Sequence, residues 1–111
     1  MRWLLRAVGV TTMPSAPVLQ PDGRMAVWSS IVDDFTFLNM TAPELAVELA
    51  DSFQKYQPDE FVQALRNIHE HGRAWKWAPT WKEAMKTIRD LHGAETARER
   101  YLQITEIDDN G

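Results

Sequence analysis

Residues 35–45 read FTFLNMTAPEL, and the pattern of the chain changes within this stretch. As far as Met40, large apolar side chains alternate in the manner of a β-strand. The alternation predicts that Phe35 and Phe37 lie on one face of the strand and that Leu38 and Met40 lie on the other. From Thr41 onward, TAPE is a capping box, in which Thr41 caps a helix and Glu44 returns a hydrogen bond. The stretch therefore separates a strand region from a helical region.

Strand signals also precede this stretch. Residues 18–20 and 24–32 flank Pro21-Asp22-Gly23, in which proline and glycine favour a tight turn. Both alternating sets of positions in 24–32 contain apolar residues, which is typical of a central strand covered on two sides or lying at a subunit contact. Trp3–Val10 is a fourth candidate strand. We therefore expect an antiparallel sheet of three to four strands over about residues 3–40.

Beyond residue 41, apolar residues recur at helical spacing. Pro58 begins the second of these runs, a capping box of Thr80 and Glu83 begins the third, and Gly72 and Gly93 end them. The pattern predicts helices over about residues 42–56, 59–71 and 81–92, with a fourth candidate over 94–101. Residues 101–107 fit either a helix or an edge strand that returns to the sheet.

Strands followed by helices indicate an α+β fold, in which an N-terminal antiparallel sheet has helices packed on one face. The 111 residues fit a single domain over 1–111. We expect residues 1–12 and 108–111 to be the least ordered, and Met13 and Met25 are alternative start positions.

The absence of cysteine excludes disulfides and thiolate metal sites. No run approaches the roughly 20 apolar residues of a membrane span, which predicts a soluble, cytoplasmic protein.

Charge is segregated along the chain. Residues 33–60 carry seven acidic side chains and one lysine, whereas residues 61–89 carry six basic and two acidic side chains. The basic block also contains three of the five tryptophans, and aromatic rings interleaved with cations are typical of platforms for single-stranded nucleic acid. The candidate binding residues are Arg73, Trp75, Lys76, Trp77, Lys82 and Lys86. The alternatives are an ordinary solvated helix face, or a contact between the acidic first helix of one copy and the basic third helix of another.

The spacing separates the roles of the three clustered tryptophans. Trp81 precedes Met85 and Ile88 by four and seven residues, so we expect it to lie on the core face of the third helix. If residues 73–78 are extended, Trp75 and Trp77 lie on the same side. We expect Trp77 to be mostly buried and Trp75 to be the more exposed of the two.

Weak candidates for metal ligands or a general base are two carboxylates, Asp33 and Asp34, and two histidines, His69 and His92. Two histidines at helix ends, together with an aspartate, are able to bind Zn²⁺ if the fold brings them together. Turn aspartates and helix-ending histidines explain the same residues without a metal. There is no nucleophile elbow, P-loop or dinucleotide-binding motif, so no cofactor is predicted.

These observations rank three functions. The first is a non-enzymatic interaction or accessory protein that binds itself, as a homodimer, or another protein. The second is a binder of single-stranded nucleic acid or phosphate through residues 66–89, and the third is a small metal-dependent hydrolase. No family is recognised from the motifs, and the general type is that of a small accessory protein of a phage or mobile element.

Overall fold

A computed structural model describes residues 15–51 and 56–110, with side chains as far as Ile104. Within these residues, three strands precede four helices. The strands are β1 (Ser15–Leu19), β2 (Met25–Ser29) and β3 (Asp34–Met40). The helices are α1 (Ala42–Asp51), α2 (Pro58–His71), α3 (Trp81–His92) and α4 (Ala94–Asn110). The α+β class is confirmed, and the predicted strand Trp3–Val10 lies outside the described residues.

The three strands form an antiparallel sheet in the order β1-β2-β3. The predicted turn joins the first two strands, and the Gly23 N–H donates to the Gln20 carbonyl at 3.0 Å. Gly23 has a φ of +90°, a conformation that glycine adopts without steric cost. All five residues of the central strand β2 are buried, which confirms that this strand is covered on two sides.

Two irregularities change the register between β2 and β3. The pairs on either side of one irregularity are Val27 with Phe37 and Trp28 with Phe35. Thr36 is therefore an extra residue in β3, and such a residue reverses the alternation of the side chains that follow. Phe35 and Leu38 pack in one apolar cluster, whereas Met40 packs in another and Phe37 is 41% exposed. For that reason, the predicted assignment of Phe35 and Phe37 to one face, and of Leu38 and Met40 to the other, is wrong.

Helices cover both faces of the sheet. Met25 and Val27 point to one face of β2, while Ala26 and Trp28 point to the other. The first pair packs in a cluster with Leu45 and Leu49 of α1 and Ala64 and Ile68 of α2. The second pair packs in a cluster with Ala84 and Ile88 of α3 and Ala97 of α4. The helices thus form two layers instead of the single layer expected, because β2 is apolar on both sides.

The helix ends follow the local capping signals. The Thr41 N–H donates to Glu44 Oε1 at 2.9 Å, and the Glu44 N–H donates to Thr41 Oγ1 at 3.3 Å. Thr80 and Glu83 form the same reciprocal pair at 3.0 and 3.2 Å. Gly72 ends α2 in the left-handed conformation, with a φ of +85°. These contacts confirm both predicted capping boxes and the glycine cap.

The C-terminal segment is helical. Helix α4 continues to Asn110, so the alternative of an edge strand over residues 101–107 is wrong. Within residues 94–104, Ala97 and Ile104 are the buried positions of this helix, and their spacing of seven residues corresponds to two helical turns. None of the helices in residues 15–51 and 56–110 has the length and apolar character needed to cross a membrane.

Candidate functional site

Helices α3 and α4 form a hairpin joined by the single residue Gly93. Its φ of +101° and ψ of 157° lie in a region that is open almost only to glycine. The Gly93 N–H donates to the Arg89 carbonyl at 3.1 Å, and the Ala97 N–H donates to the Gly93 carbonyl at 3.2 Å. One residue therefore ends α3 and begins α4, and an open groove lies between the two helices. We call it the α3–α4 groove.

The α3–α4 groove has a volume of about 890 Å³. Its lining residues are Trp81, Lys82, Glu83, Met85, Lys86, Arg89, Ala94, Ala97, Arg98 and Tyr101. The Trp81 ring stacks on Phe35 of β3, with ring centroids 5.0 Å apart and planes inclined by 20°. Phe35 in turn contacts Trp28 edge-on at 5.3 Å. The largest apolar side chain of the groove is therefore held in place by the sheet.

Four exposed cations line the groove: Lys82, Lys86, Arg89 and Arg98. Lys86 Nζ lies 2.8 Å from the Asp90 carboxylate. Among the described residues, the other three have no ion pair. The groove thus combines apolar side chains with four cations, of which one, Lys86, is ion-paired.

Arg73, a predicted binding residue, is engaged within the protein. Its guanidinium donates to the Glu83 carboxylate oxygens at 2.7 and 2.9 Å and to the Ala78 carbonyl at 3.2 Å. The hydrogen bonds from Arg73, followed by the one from the Thr80 N–H, lower the pKa of Glu83. Arg73 thus ties the segment after α2 to the first turn of α3.

Trp75 also has an internal role. Its indole Nε1–H donates to the Tyr56 hydroxyl at 2.9 Å, and that hydroxyl donates to the Ser15 carbonyl at 2.9 Å. Burial raises the pKa of Tyr56 to about 12, despite the opposing effect of the hydrogen bond from Trp75. Trp75 is half-buried against the cluster that contains Tyr56.

Trp77, by contrast, is 44% exposed. The expected order of exposure is therefore wrong: Trp75 is the more buried of the two. The segment is a turn and not extended, since the Ala78 N–H donates to the Trp75 carbonyl at 3.0 Å. Lys76 is exposed and, with Trp75, lines a smaller depression of about 330 Å³ beside α2. Of the six predicted binding residues, only Lys82 and Lys86 line the α3–α4 groove.

Three of the four candidate metal ligands, Asp33, Asp34 and His92, lie in or beside the β2–β3 turn. His92 Nε2 lies 3.1 Å from the backbone carbonyls of Val32 and Asp33, so the ring ties the end of α3 to the β2–β3 turn. Both carboxylate oxygens of Asp34 accept hydrogen bonds from Arg100, at 3.0 and 2.7 Å. Burial raises the pKa of Asp34, but the hydrogen bonds from Arg100 and from the Phe35 N–H, with the charge of Arg100, outweigh it and hold the pKa below its ordinary value.

His69 is exposed near the end of α2. Nowhere in residues 15–51 and 56–110 do three histidine or carboxylate side chains form a group able to hold a metal ion. The contacts of Asp34 and His92 instead join α4 and α3 to the sheet.

Sequence reasoning missed part of the groove. Arg89 continues the series of Lys82 and Lys86, since these residues are spaced at i, i+4 and i+7 on α3. Arg98 and Tyr101 lie three residues apart on α4 and face the same groove. The signal on α3 is visible in the sequence. Arg98 and Tyr101 fall within the fourth predicted helix, 94–101, but no local pattern indicates that this helix packs beside α3.

Comparison with protein families, with curated proteins and with solved structures found no match to this chain.

Proposed function

We propose that the protein is an interaction module whose α3–α4 groove binds an acidic amphipathic helix. Such a helix places its apolar side chains in a groove while its charges meet the rim, a recurrent mode of peptide recognition. The observation that supports this function is the pairing of Trp81 and Met85 with three exposed cations, Lys82, Arg89 and Arg98, for which the described residues supply no ion pair. A protein partner, whether a second copy or another chain, remains the leading proposal.

The apolar side chains supply the anchor positions. Trp81 and Met85 are half-buried, so each keeps surface that a partner is able to cover. Tyr101 is 52% exposed on the opposite side of the groove. Large aromatic side chains contribute most of the binding energy in many protein interfaces, and here two of them lie among cations.

Nucleic acid is the less favoured ligand. The Trp81 ring already has one face covered by Phe35, so it is unable to lie between two bases. Trp75, which belonged to the predicted stacking platform, donates its indole N–H to Tyr56 within the protein. The net charge of −4 also opposes general affinity for nucleic acid.

The test uses a synthetic acidic peptide of about four helical turns, with leucines at i, i+3, i+4 and i+7. Binding is measured by isothermal titration calorimetry with the wild type and with the double variant Arg89→Glu/Arg98→Glu. We expect the double variant to bind at least about tenfold more weakly, which corresponds to about 1.4 kcal/mol. The loss follows because the reversed charges repel the acidic peptide.

The matched control is Arg66→Glu/Lys76→Glu, which makes the same change in net charge at two exposed positions outside the groove. This control should bind the peptide within about twofold of the wild type, since distant charges are screened by salt. Equal losses in both double variants would contradict the proposal. A single-stranded oligonucleotide that binds more tightly than the peptide would support the nucleic-acid function instead.

A further inference from the structure

We infer that the acidic helix bound by the α3–α4 groove is α1 of a second copy of the chain, so that copies associate head to tail. This inference rests on the proposed function, because it names the partner of the same groove. It is carried by a match between two charged stripes that lie on different helices of one chain.

The stripe on α1 consists of Glu44, Glu48 and Asp51, at positions i, i+4 and i+7. Residues at this spacing share one side of a helix. Glu44 and Asp51 are exposed and Glu48 is half-buried. Val47 lies beside them and is 63% exposed, whereas Leu45 and Leu49 of the same helix are buried in the core. The outer side of α1 thus presents an apolar side chain among carboxylates.

The stripe on α3 has the same spacing with the opposite sign. Lys82, Lys86 and Arg89 also occupy positions i, i+4 and i+7. At about 1.5 Å per residue, each stripe extends about 10.5 Å along its helix. Two helices of similar length are therefore able to align three carboxylates with three cations. In that arrangement, Val47 faces the apolar side chains of the groove.

Two acids already lie near the basic stripe. Asp90 pairs with Lys86, and Glu83 lines the groove but is held by Arg73. On the other helix, Glu44 accepts the Thr41 N–H in the capping box and is exposed. Arg98, which lies across the groove from the basic stripe, adds a fourth cation. The groove therefore keeps an excess of positive charge for the acidic helix of another copy.

The arrangement of the layers decides the form of the assembly. Helix α1 packs on the face of β2 that carries Val27, whereas α3 and α4 pack on the face that carries Trp28. The acidic stripe and the groove therefore lie on opposite sides of the sheet. A contact between two different surfaces is heterologous and propagates into rings or filaments, unlike a two-fold contact, which stops at a dimer.

The test is sedimentation at low salt, over about 10 µM to 1 mM, the range expected for a weak transient contact. The wild type should show an average mass that rises with concentration beyond two chains. Glu48→Lys/Asp51→Lys and Lys86→Glu/Arg89→Glu should each remain monomeric, because each has lost one of the two surfaces. A 1:1 mixture of the two variants should form alternating assemblies larger than a dimer, because the α1 stripe of each variant is opposite in charge to the groove of the other.

A chain with all four substitutions should associate again, since its two stripes are reversed together. Circular dichroism confirms that each variant is folded, and higher salt should return the wild type to monomers. The inference is overturned if the wild type stays monomeric or stops at a dimer, or if the mixture does not associate. If the wild type is monomeric but still binds the acidic peptide, the proposed function stands; if it does neither, both are overturned.

Discussion

At the scale of single residues, a chain of two hydrogen bonds connects the segment after α2 to the start of the sheet. The Trp75 indole donates to the Tyr56 hydroxyl, which donates to the Ser15 carbonyl. Tyr56 is 4% exposed, so water does not readily replace these partners. The hydroxyl thus satisfies one donor and one acceptor from distant parts of the sequence.

We expect Tyr56→Phe to lower the free energy of unfolding by about 1–3 kcal/mol, since it removes a buried hydroxyl that bonds both the Trp75 indole N–H and the Ser15 carbonyl. Urea denaturation measures the change. The control Trp77→Phe alters an exposed ring and should change stability by no more than about 0.5 kcal/mol. If both variants unfold at the same urea concentration, Trp75 is not held by this network.

Residues 75–78, which contain Trp75 and Trp77, show why the roles of single residues are hard to predict from their spacing. An extended segment would place Trp75 and Trp77 on one side, but the chain turns between Trp75 and Ala78. The turn allows Trp75 to reach a hydroxyl 19 residues earlier in the chain. No local pattern indicates that partner, whereas the capping boxes at Thr41 and Thr80 were predictable because both members lie within three residues.

At the scale of elements, the α3–α4 hairpin depends on its single connecting residue. A methyl group on Gly93 would contact no heavy atom within 4 Å, so space does not demand a glycine here. The backbone conformation does, because φ is +101°. The angle between the two helices, and with it the groove, follows from a conformation that other residues adopt only at a cost.

We expect Gly93→Ala to destabilise the protein by about 1–3 kcal/mol, the usual cost of forcing a side chain into this region. Thermal or urea unfolding measures it. The matched control is Gly72→Ala, where φ is +85° and ψ is −5°, a left-handed conformation that costs other residues only about 1–2 kcal/mol. Affinity for the acidic peptide should fall in the first variant alone. A fully stable Gly93→Ala protein with unchanged affinity would show that this connection does not shape the groove.

Strand β3 is the element for which periodicity was least informative. Its extra residues break the alternation, and the second lies near Asn39, whose φ is +63°. Buried Gln20 holds this position, accepting the Asn39 N–H at 2.6 Å and donating to its side chain at 3.0 Å. The bulge thus depends on Gln20, the residue that follows β1, which a pattern within residues 35–40 does not reveal.

At the scale of the whole molecule, the sheet divides the chain into two sides. Acidic α1 lies on one side of β2, and the hairpin with its cations lies on the other. The charge segregation seen in the sequence thereby becomes a separation in space. The α+β class was predictable because strands precede helices. The two helical layers were not predicted, although the apolar character of both faces of β2 pointed to them.

The central claim is that the α3–α4 groove is the binding surface, and amide NMR with the acidic peptide tests it most directly. The five tryptophans each give an indole N–H signal. We expect the indole of Trp81 and the amides around Met85, Ala97 and Tyr101 to shift on titration, while the indole of Trp77 does not. Shifts centred on Trp75 and Trp77, with none along α3 and α4, would contradict the account.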